Sequence, residues 1–194
     1  MKRGYQTLTA FAALLLANVA QAHIIGAQGA GFGAGFVHPF TGLDHMLAMV
    51  AVGLWAAQLG GRARWVVPLA FMGAMVVGAG LALAGIALPM VATGIASSVL
   101  VLGLLIVFAA RLPVAASAIL VGAFAVFHGH AHGTELPQAA TEALYGIGFA
   151  LATGTLLAAG LGIGALMHHR LKSTWLRALG GGIATAGLLM WVVV

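Results

Sequence analysis

The sequence HPFTGLDH, residues 38–45, opens an apolar run that continues to Leu59. It holds two imidazoles, a proline, a glycine and the carboxylate of Asp44. Only 6% of the chain is Asp, Glu, Lys or Arg, and only three residues are acidic. Because ionisable groups are costly within an apolar segment of a membrane protein, this stretch indicates a functional site.

The composition predicts an integral membrane protein. The chain has 194 residues, 62% of them hydrophobic, and a mean hydropathy of +1.12, whereas a soluble domain is usually about 45 to 50% apolar. The net charge of +5 comes from scattered basic residues, which argues against nucleic acid as a partner. Cysteine is absent, so disulfides and thiolate metal sites are excluded within the chain. The chain also lacks a P-loop motif.

Residues 1–22 have the pattern of a secretory signal peptide: two basic residues, a short apolar run and the small-x-small site AQA at 20–22. Cleavage would leave residues 23–194 as a single transmembrane helical domain with His23 at its N-terminus. An N-terminal histidine can offer both its amine and its imidazole to a metal ion, so His23 is a secondary candidate ligand. The alternative is that His23 merely follows the cleavage site.

The remaining pattern predicts an all-α fold, a polytopic bundle of about six transmembrane helices. The first span runs from Leu43 to Leu59, after a break at Pro39–Gly42 where proline and glycine interrupt the helix. Five further apolar runs are Trp65 to Leu83, Pro89 to Ala110, Pro113 to His128, Leu144 to Met167 and Trp175 to Val194.

The charges between these spans predict the orientation of the bundle. If the processed N-terminus is outside, Glu135 and Glu142 also lie outside, and every basic loop residue faces the cytoplasm, as the positive-inside rule requires. Those basic residues are Arg62, Arg64, Arg111, Arg170, Lys172 and Arg177.

This topology brings two polar clusters to the same membrane depth. The first span begins at residues 38–45, and the fourth span crosses in the other direction and ends in FHGHAHGTE, residues 127–135. In a continuous helix His128 and His132 share one face, and His130 points elsewhere. The glycines at 129 and 133 leave open a break in the helix at this second motif.

Imidazole and carboxylate groups without thiolates suit Ni(II), Co(II) or Zn(II). The candidate ligands are His38, His45, His128 and His132, with Asp44 and Glu135 as charge partners or ligands. Since Asp44 and His45 are adjacent, we expect one to ligate and the other to orient it. A hydrogen-bonded network that only joins two helices is the alternative. Five histidines and two carboxylates in two short segments favour metal or proton handling.

The two motifs resemble those of the HupE/UreJ proteins, which have the forms HPxxGxDH and HGxAHGxE. They stand here as HPFTGLDH (38–45) and HGHAHGTE (128–135), and LAMVAVGLWA (47–56) is also similar to the family. The resemblance implies a nickel permease of the bacterial cytoplasmic membrane, linked indirectly to urease or hydrogenase assembly, with some members assigned to cobalt. It carries metal-handling roles to the six candidates above. His130, at a variable motif position, is a secondary candidate.

We therefore expect a secondary permease, not an enzyme, that imports Ni(II) from the periplasm through an outer His/carboxylate site and carries no prosthetic group. Its partners would be the metal ion and the lipid bilayer. The sequence does not determine whether the chain forms a homo-oligomer. Three alternatives are a Co(II) permease of the same architecture, an intramembrane metalloenzyme with Glu135 as base, and a metal-binding sensor or structural subunit. The metalloenzyme is disfavoured because the chain lacks an H-E-x-x-H pattern.

Overall fold

A computed structural model describes residues 31–136, 142–170 and 173–194, and within these ranges the chain is helical with no strand. The expected all-α fold is therefore confirmed. The predicted signal peptide (1–22) and His23 lie outside the described residues. The helices are α1 (Phe32–Val37), α2 (Leu43–Leu59), α3 (Ala63–Leu83), α4 (Val91–Val107), α5 (Val114–Thr134), α6 (Glu142–Arg170) and α7 (Ser173–Val193).

The break before α2 lies where the sequence predicts it. Helix α1 passes into a short 3-10 turn at His38–Phe40, and the chain then bends by 81° into α2. Gly42 precedes α2 in an extended conformation. A Cβ atom there would lie 2.9 Å from Asp44 Oδ1 and 3.1 Å from His45 Nδ1. The missing side chain of Gly42 therefore lets the bend close onto the acidic and imidazole groups that follow it.

Four helices, α3, α5, α6 and α7, are long and apolar enough to cross a membrane, and the bent pair α1–α2 adds a fifth candidate. Helix α4 has 17 residues and is therefore roughly 25 Å long, somewhat shorter than the hydrocarbon core of about 30 Å. The predicted total of six spans stays a prediction.

Helix α2 lies at the centre of the bundle and contacts α3, α4, α6 and α7. Its residues Met49, Val52 and Trp55 are fully buried. The most extensive helix pairs are α3 with α5, α4 with α7 and α2 with α6. Glycines lie at these contacts: a Cβ atom on Gly53 of α2 would overlap the backbone of Leu157 in α6. Small residues let membrane helices approach in this way.

Of the two alternatives for the second motif, the structure has the continuous helix, because α5 runs through both glycines to Thr134. Gly129 and Gly133 instead face α3. A Cβ atom on Gly129 would overlap the Met75 carbonyl, and one on Gly133 would lie 2.7 Å from the Ala79 carbonyl oxygen. These glycines therefore serve close helix packing, and the helical hydrogen bonds continue past them.

Three hydrogen bonds join helix ends at the end of the bundle opposite the two motifs. Trp55 Nε1 donates to the Ala110 carbonyl at 3.0 Å and Gln58 Nε2 to the Ile106 carbonyl at 3.1 Å. Arg177 Nε donates to the Val107 carbonyl at 2.6 Å. The end of α2, the end of α4 and the beginning of α7 thus meet at one end, as the predicted alternation of the spans requires.

Candidate metal centre

The two motifs meet at the broken end of α2. His38 Nε2 lies 2.9 Å from His132 Nδ1, although the residues are 94 positions apart, and 3.3 Å from Glu135 Oε2. One ligand atom from each of these three residues lies within 4.8 Å of the others. His132 is buried, whereas the side chains of His38 and Glu135 are 25% and 52% exposed. The predicted convergence of the motifs is confirmed, and these three residues form an open mouth to the cluster.

In the mouth, two hydrogen-bond acceptors, Glu135 Oε2 and His132 Nδ1, lie next to the one proton on His38 Nε2. An ionised carboxylate can only accept hydrogen bonds, and an imidazole nitrogen carries at most one proton. The hydrogen bond from His38 holds the pKa of the Glu135 carboxyl below its ordinary value, so this carboxyl is ionised at neutral pH. One proton on His38 Nε2 must therefore serve both Glu135 and His132. A cation placed between the three groups would satisfy all of them.

Asp44 and His45 divide their roles within the first motif. Asp44 Oδ1 accepts the backbone N–H of His45 at 2.8 Å and lies 2.7 Å from Nδ1 of the same residue. Because the carboxylate accepts, Nδ1 of His45 carries a proton, and in the neutral imidazole Nε2 is then bare. His45 Nε2 is buried without a hydrogen-bond partner among the described residues. Of the two, His45 therefore offers the free electron pair, and Asp44 orients it.

Four histidines form a row that leads from the mouth into the bundle. Successive ring centroids are 4.8, 4.1 and 4.8 Å apart, and the rings come alternately from the two motifs. We call this set, in order His38, His132, His45 and His128, the histidine row. The first ring is partly exposed, the next two are buried, and His128 at the inner end is fully buried.

The inner part of the row has unsatisfied nitrogens. Three buried ring nitrogens have no hydrogen-bond partner within the described part of the chain: His132 Nε2, His45 Nε2 and His128 Nδ1. A buried polar atom without a partner costs roughly 1 to 3 kcal/mol. In the neutral ring of His132, Nδ1 accepts from His38 and Nε2 therefore carries the proton. The electron pairs that a cation path requires are those of His45 Nε2 and of His128 when its proton is on Nε2.

Aromatic residues of α6 line the outer half of the row. The Phe149 ring lies 4.3 Å from that of His132 and 6.2 Å from that of His38, and the Tyr145 ring lies 5.9 Å from that of His38. Neither residue is recognisable from the sequence, since an aromatic side chain in an apolar helix has no distinctive signal. The same holds for Ser98, whose hydroxyl lies 2.8 Å from His128 Nε2. Its only signal in the sequence is a hydroxyl within an apolar run, which its neighbour Ser97 shares.

His130 stands apart from the row, as the helical spacing predicts. It is buried, and its Nε2 donates a 2.9 Å hydrogen bond to the carbonyl of Ile86 in the α3–α4 connection. This contact gives His130 a role in holding the connection against α5, and removes it from the set of residues that converge.

The chain is similar to known proteins over most of its length. A family model described as "HupE / UreJ protein" matches residues 11–190. "Protein HupE" of Rhizobium leguminosarum bv. viciae is 47% identical over 184 residues, which cover 95% of this chain and 96% of that protein. No solved structure matches the chain. These findings support a hydrogenase- or urease-associated metal transporter rather than an enzyme, and the apolar helices agree with a multi-pass membrane protein. The chain therefore belongs to the HupE/UreJ family.

Proposed function

We propose that the protein is a secondary permease that imports Ni(II) across the bacterial cytoplasmic membrane, from the periplasm to the cytoplasm, for hydrogenase or urease maturation. The observation that carries the proposal is the contact of His38 Nε2 with His132 Nδ1 at 2.9 Å and with Glu135 Oε2 at 3.3 Å. It joins the two motifs at the partly exposed end of the row, where an ion can enter.

The chemistry of the mouth suits this cargo. Two imidazoles and a carboxylate are borderline and hard ligands, a mixture that favours Ni(II), Co(II) and Zn(II) over Ca(II) or Mg(II). The carboxylate of Glu135 attracts the hydrated cation, and the imidazoles replace part of its water. The exposure of His38 and Glu135 allows this exchange to begin at the surface.

The histidine row supplies the next steps. His132 faces the mouth with Nδ1 and the interior with Nε2, so a change of tautomer or a flip of the ring turns its one electron pair from the outer ligands to the inner ones. With centroid spacings of 4.1 to 4.8 Å, neighbouring rings can share an ion after small side-chain rotations. Protons compete with metal for imidazole and carboxylate, which provides a means of release.

A matched pair of histidines on α5 tests the proposal. We expect His132→Gln to abolish uptake of radiolabelled Ni(II) by cells that produce the full chain, because it removes the ligand that connects the mouth to the inner rings of the row. His130→Gln is the control: it is also buried, lies two residues away and stands outside the row, so uptake should be retained. Wild-type uptake by His132→Gln at normal membrane abundance would contradict the proposal.

Competition with Co(II) tests the identity of the cargo. We expect a tenfold excess of Co(II) to leave most of the initial rate of Ni(II) uptake by the wild-type chain. A preference for Co(II) by an order of magnitude would overturn the assignment to nickel while leaving the site itself intact.

A further inference from the structure

The innermost ring of the histidine row contacts a residue that belongs to neither motif. Ser98, on α4, is fully buried, and its Oγ lies 2.8 Å from His128 Nε2 and 2.6 Å from the Ile95 carbonyl oxygen. A carbonyl oxygen can only accept, so the single hydroxyl proton of Ser98 is donated to Ile95. The serine oxygen is then left to accept from His128.

This assignment fixes the tautomer of His128. Its Nε2 must carry the proton that Ser98 accepts, and in a neutral imidazole the other nitrogen is then bare. That other nitrogen, Nδ1, is buried and has no partner among the described residues. The neighbouring His45 ring, 4.8 Å away and nearly perpendicular, is held by Asp44 in the opposite tautomer. Each ring thus has one nitrogen bound to an orienting group and the other free.

We propose that Ser98 is a positioning residue for the cation path, which fixes His128 as the Nε2–H tautomer so that its bare Nδ1 is the ligand of the permeating ion. The inference rests on the proposed function, since it assumes that the ion reaches His128. Ser98 would orient His128 as Asp44 orients His45, by accepting a hydrogen bond from one ring nitrogen. The acceptor at the fully buried His128 is a neutral hydroxyl, whereas the acceptor at His45 is a charged carboxylate.

A role confined to helix packing makes different predictions. A hydroxyl that merely ties α4 to α5 would affect the abundance or stability of the protein, and its loss would not change how His128 is protonated. Loss of a group that orients a metal-binding imidazole typically costs 10- to 100-fold in affinity or activity. Two measurements therefore distinguish a positioning role from a packing role: the KM for Ni(II) and the tautomer of His128.

The transport experiment compares Ser98→Ala with Ser117→Ala in proteoliposomes that contain the full chain. Ser117 is also fully buried, and its hydroxyl makes only a 3.5 Å contact with the Leu112 carbonyl, away from the row. We expect Ser98→Ala to raise the KM for Ni(II) about 10- to 100-fold and Ser117→Ala to leave it unchanged. His128→Ala is measured alongside. Its uptake at the wild-type rate would refute the role of His128 itself. Its loss, combined with an unchanged KM in Ser98→Ala, would overturn only the inference about Ser98.

The spectroscopic experiment reads the tautomer of His128 directly, and its first test uses the wild-type protein. In the ¹⁵N NMR spectrum of the purified metal-free protein labelled at histidine, the His128 signals are identified by their absence from His128→Gln. We expect these signals to report a protonated Nε2 and a bare Nδ1 in the wild type, and a loss of this preference in Ser98→Ala. A wild-type His128 with its proton on Nδ1 would overturn the proposal, as would a preference unchanged in Ser98→Ala.

Discussion

At the scale of single residues, the site is built from imidazoles whose two nitrogens have different partners. Asp44 holds one nitrogen of His45, and Ser98 holds one nitrogen of His128. In both rings the second nitrogen is buried and unpartnered among the described residues. The orienting groups therefore determine which electron pairs are available to a cation.

Substitutions of Asp44 test this division of roles. We expect Asp44→Ala to reduce the initial rate of Ni(II) uptake about 10- to 100-fold, because His45 loses the acceptor that fixes its tautomer. Asp44→Asn should reduce it less, since the amide oxygen can still accept the Nδ1–H of His45. Radiolabelled uptake, normalised to membrane abundance, measures both. Uptake at the wild-type rate in Asp44→Ala would contradict the assignment.

The residues that carry charge or imidazole could be predicted from the sequence, because such groups are rare in this chain and costly in a membrane. Ser98, Tyr145 and Phe149 could not. Hydroxyl and aromatic side chains are ordinary in apolar helices, and only the packing of α4 and α6 against the motifs brings these three to the histidine row.

At the scale of elements, the two motifs use glycine for opposite purposes. Gly42 lies in the break between the 3-10 turn and α2, where it makes room for Asp44 and His45. Gly129 lies within the continuous α5, where it makes room for α3. The sequence predicts the first break because Pro39 fixes it. The sequence does not show whether Gly129 breaks its helix or lets it pack closely on a neighbour, because the local pattern around the glycine is the same in both cases.

Gly42→Ala tests the importance of the break. The new methyl group would lie 2.9 Å from Asp44 Oδ1 and would push Asp44 and His45 apart, so we expect Ni(II) uptake to fall at least tenfold at unchanged abundance. Gly33→Ala is the control, because a Cβ atom there has nothing within 4 Å among the described residues. Equal uptake by the two variants would show that the close approach at Gly42 is unimportant.

Gly129→Ala tests the packing of α5 on α3. Its methyl group would overlap the Met75 carbonyl, so the helices must separate, and we expect a loss of about 1 to 3 kcal/mol in the free energy of unfolding. A Cβ atom on Gly122, on the same helix, meets only the Ala74 methyl at 3.6 Å, so Gly122→Ala should not destabilise the protein. Denaturation of the purified chain in detergent measures both, and similar stabilities would contradict the packing role.

At the scale of the whole molecule, the two ends of the bundle carry different groups. One end carries the mouth formed by His38, His132 and Glu135, and the other carries the contacts of Gln58 and Arg177 with α4. The alternation of apolar runs and the placement of basic residues predict this arrangement. The length of α4 does not follow from hydropathy alone, because the apolar run from Pro89 to Ala110 extends beyond the helix at both ends.

Single cysteines test the orientation, and the chain has no cysteine of its own to interfere. Ala87 lies in the exposed connection at the mouth end, and Leu112 lies in the connection at the opposite end. We expect a membrane-impermeant thiol reagent added to whole cells to label Ala87→Cys and not Leu112→Cys. In inverted vesicles the pattern should be reversed. Labelling of Leu112→Cys from outside would show that the mouth faces the cytoplasm.

The most direct measurement is X-ray absorption at the nickel edge of the purified chain loaded with Ni(II). We predict scattering from imidazole nitrogens together with light oxygen or nitrogen ligands and without sulfur, and a loss of imidazole scattering in His132→Gln that does not occur in His130→Gln. Nickel surrounded by oxygen ligands alone, or an unchanged spectrum in His132→Gln, would contradict the claim that the two motifs jointly hold the ion.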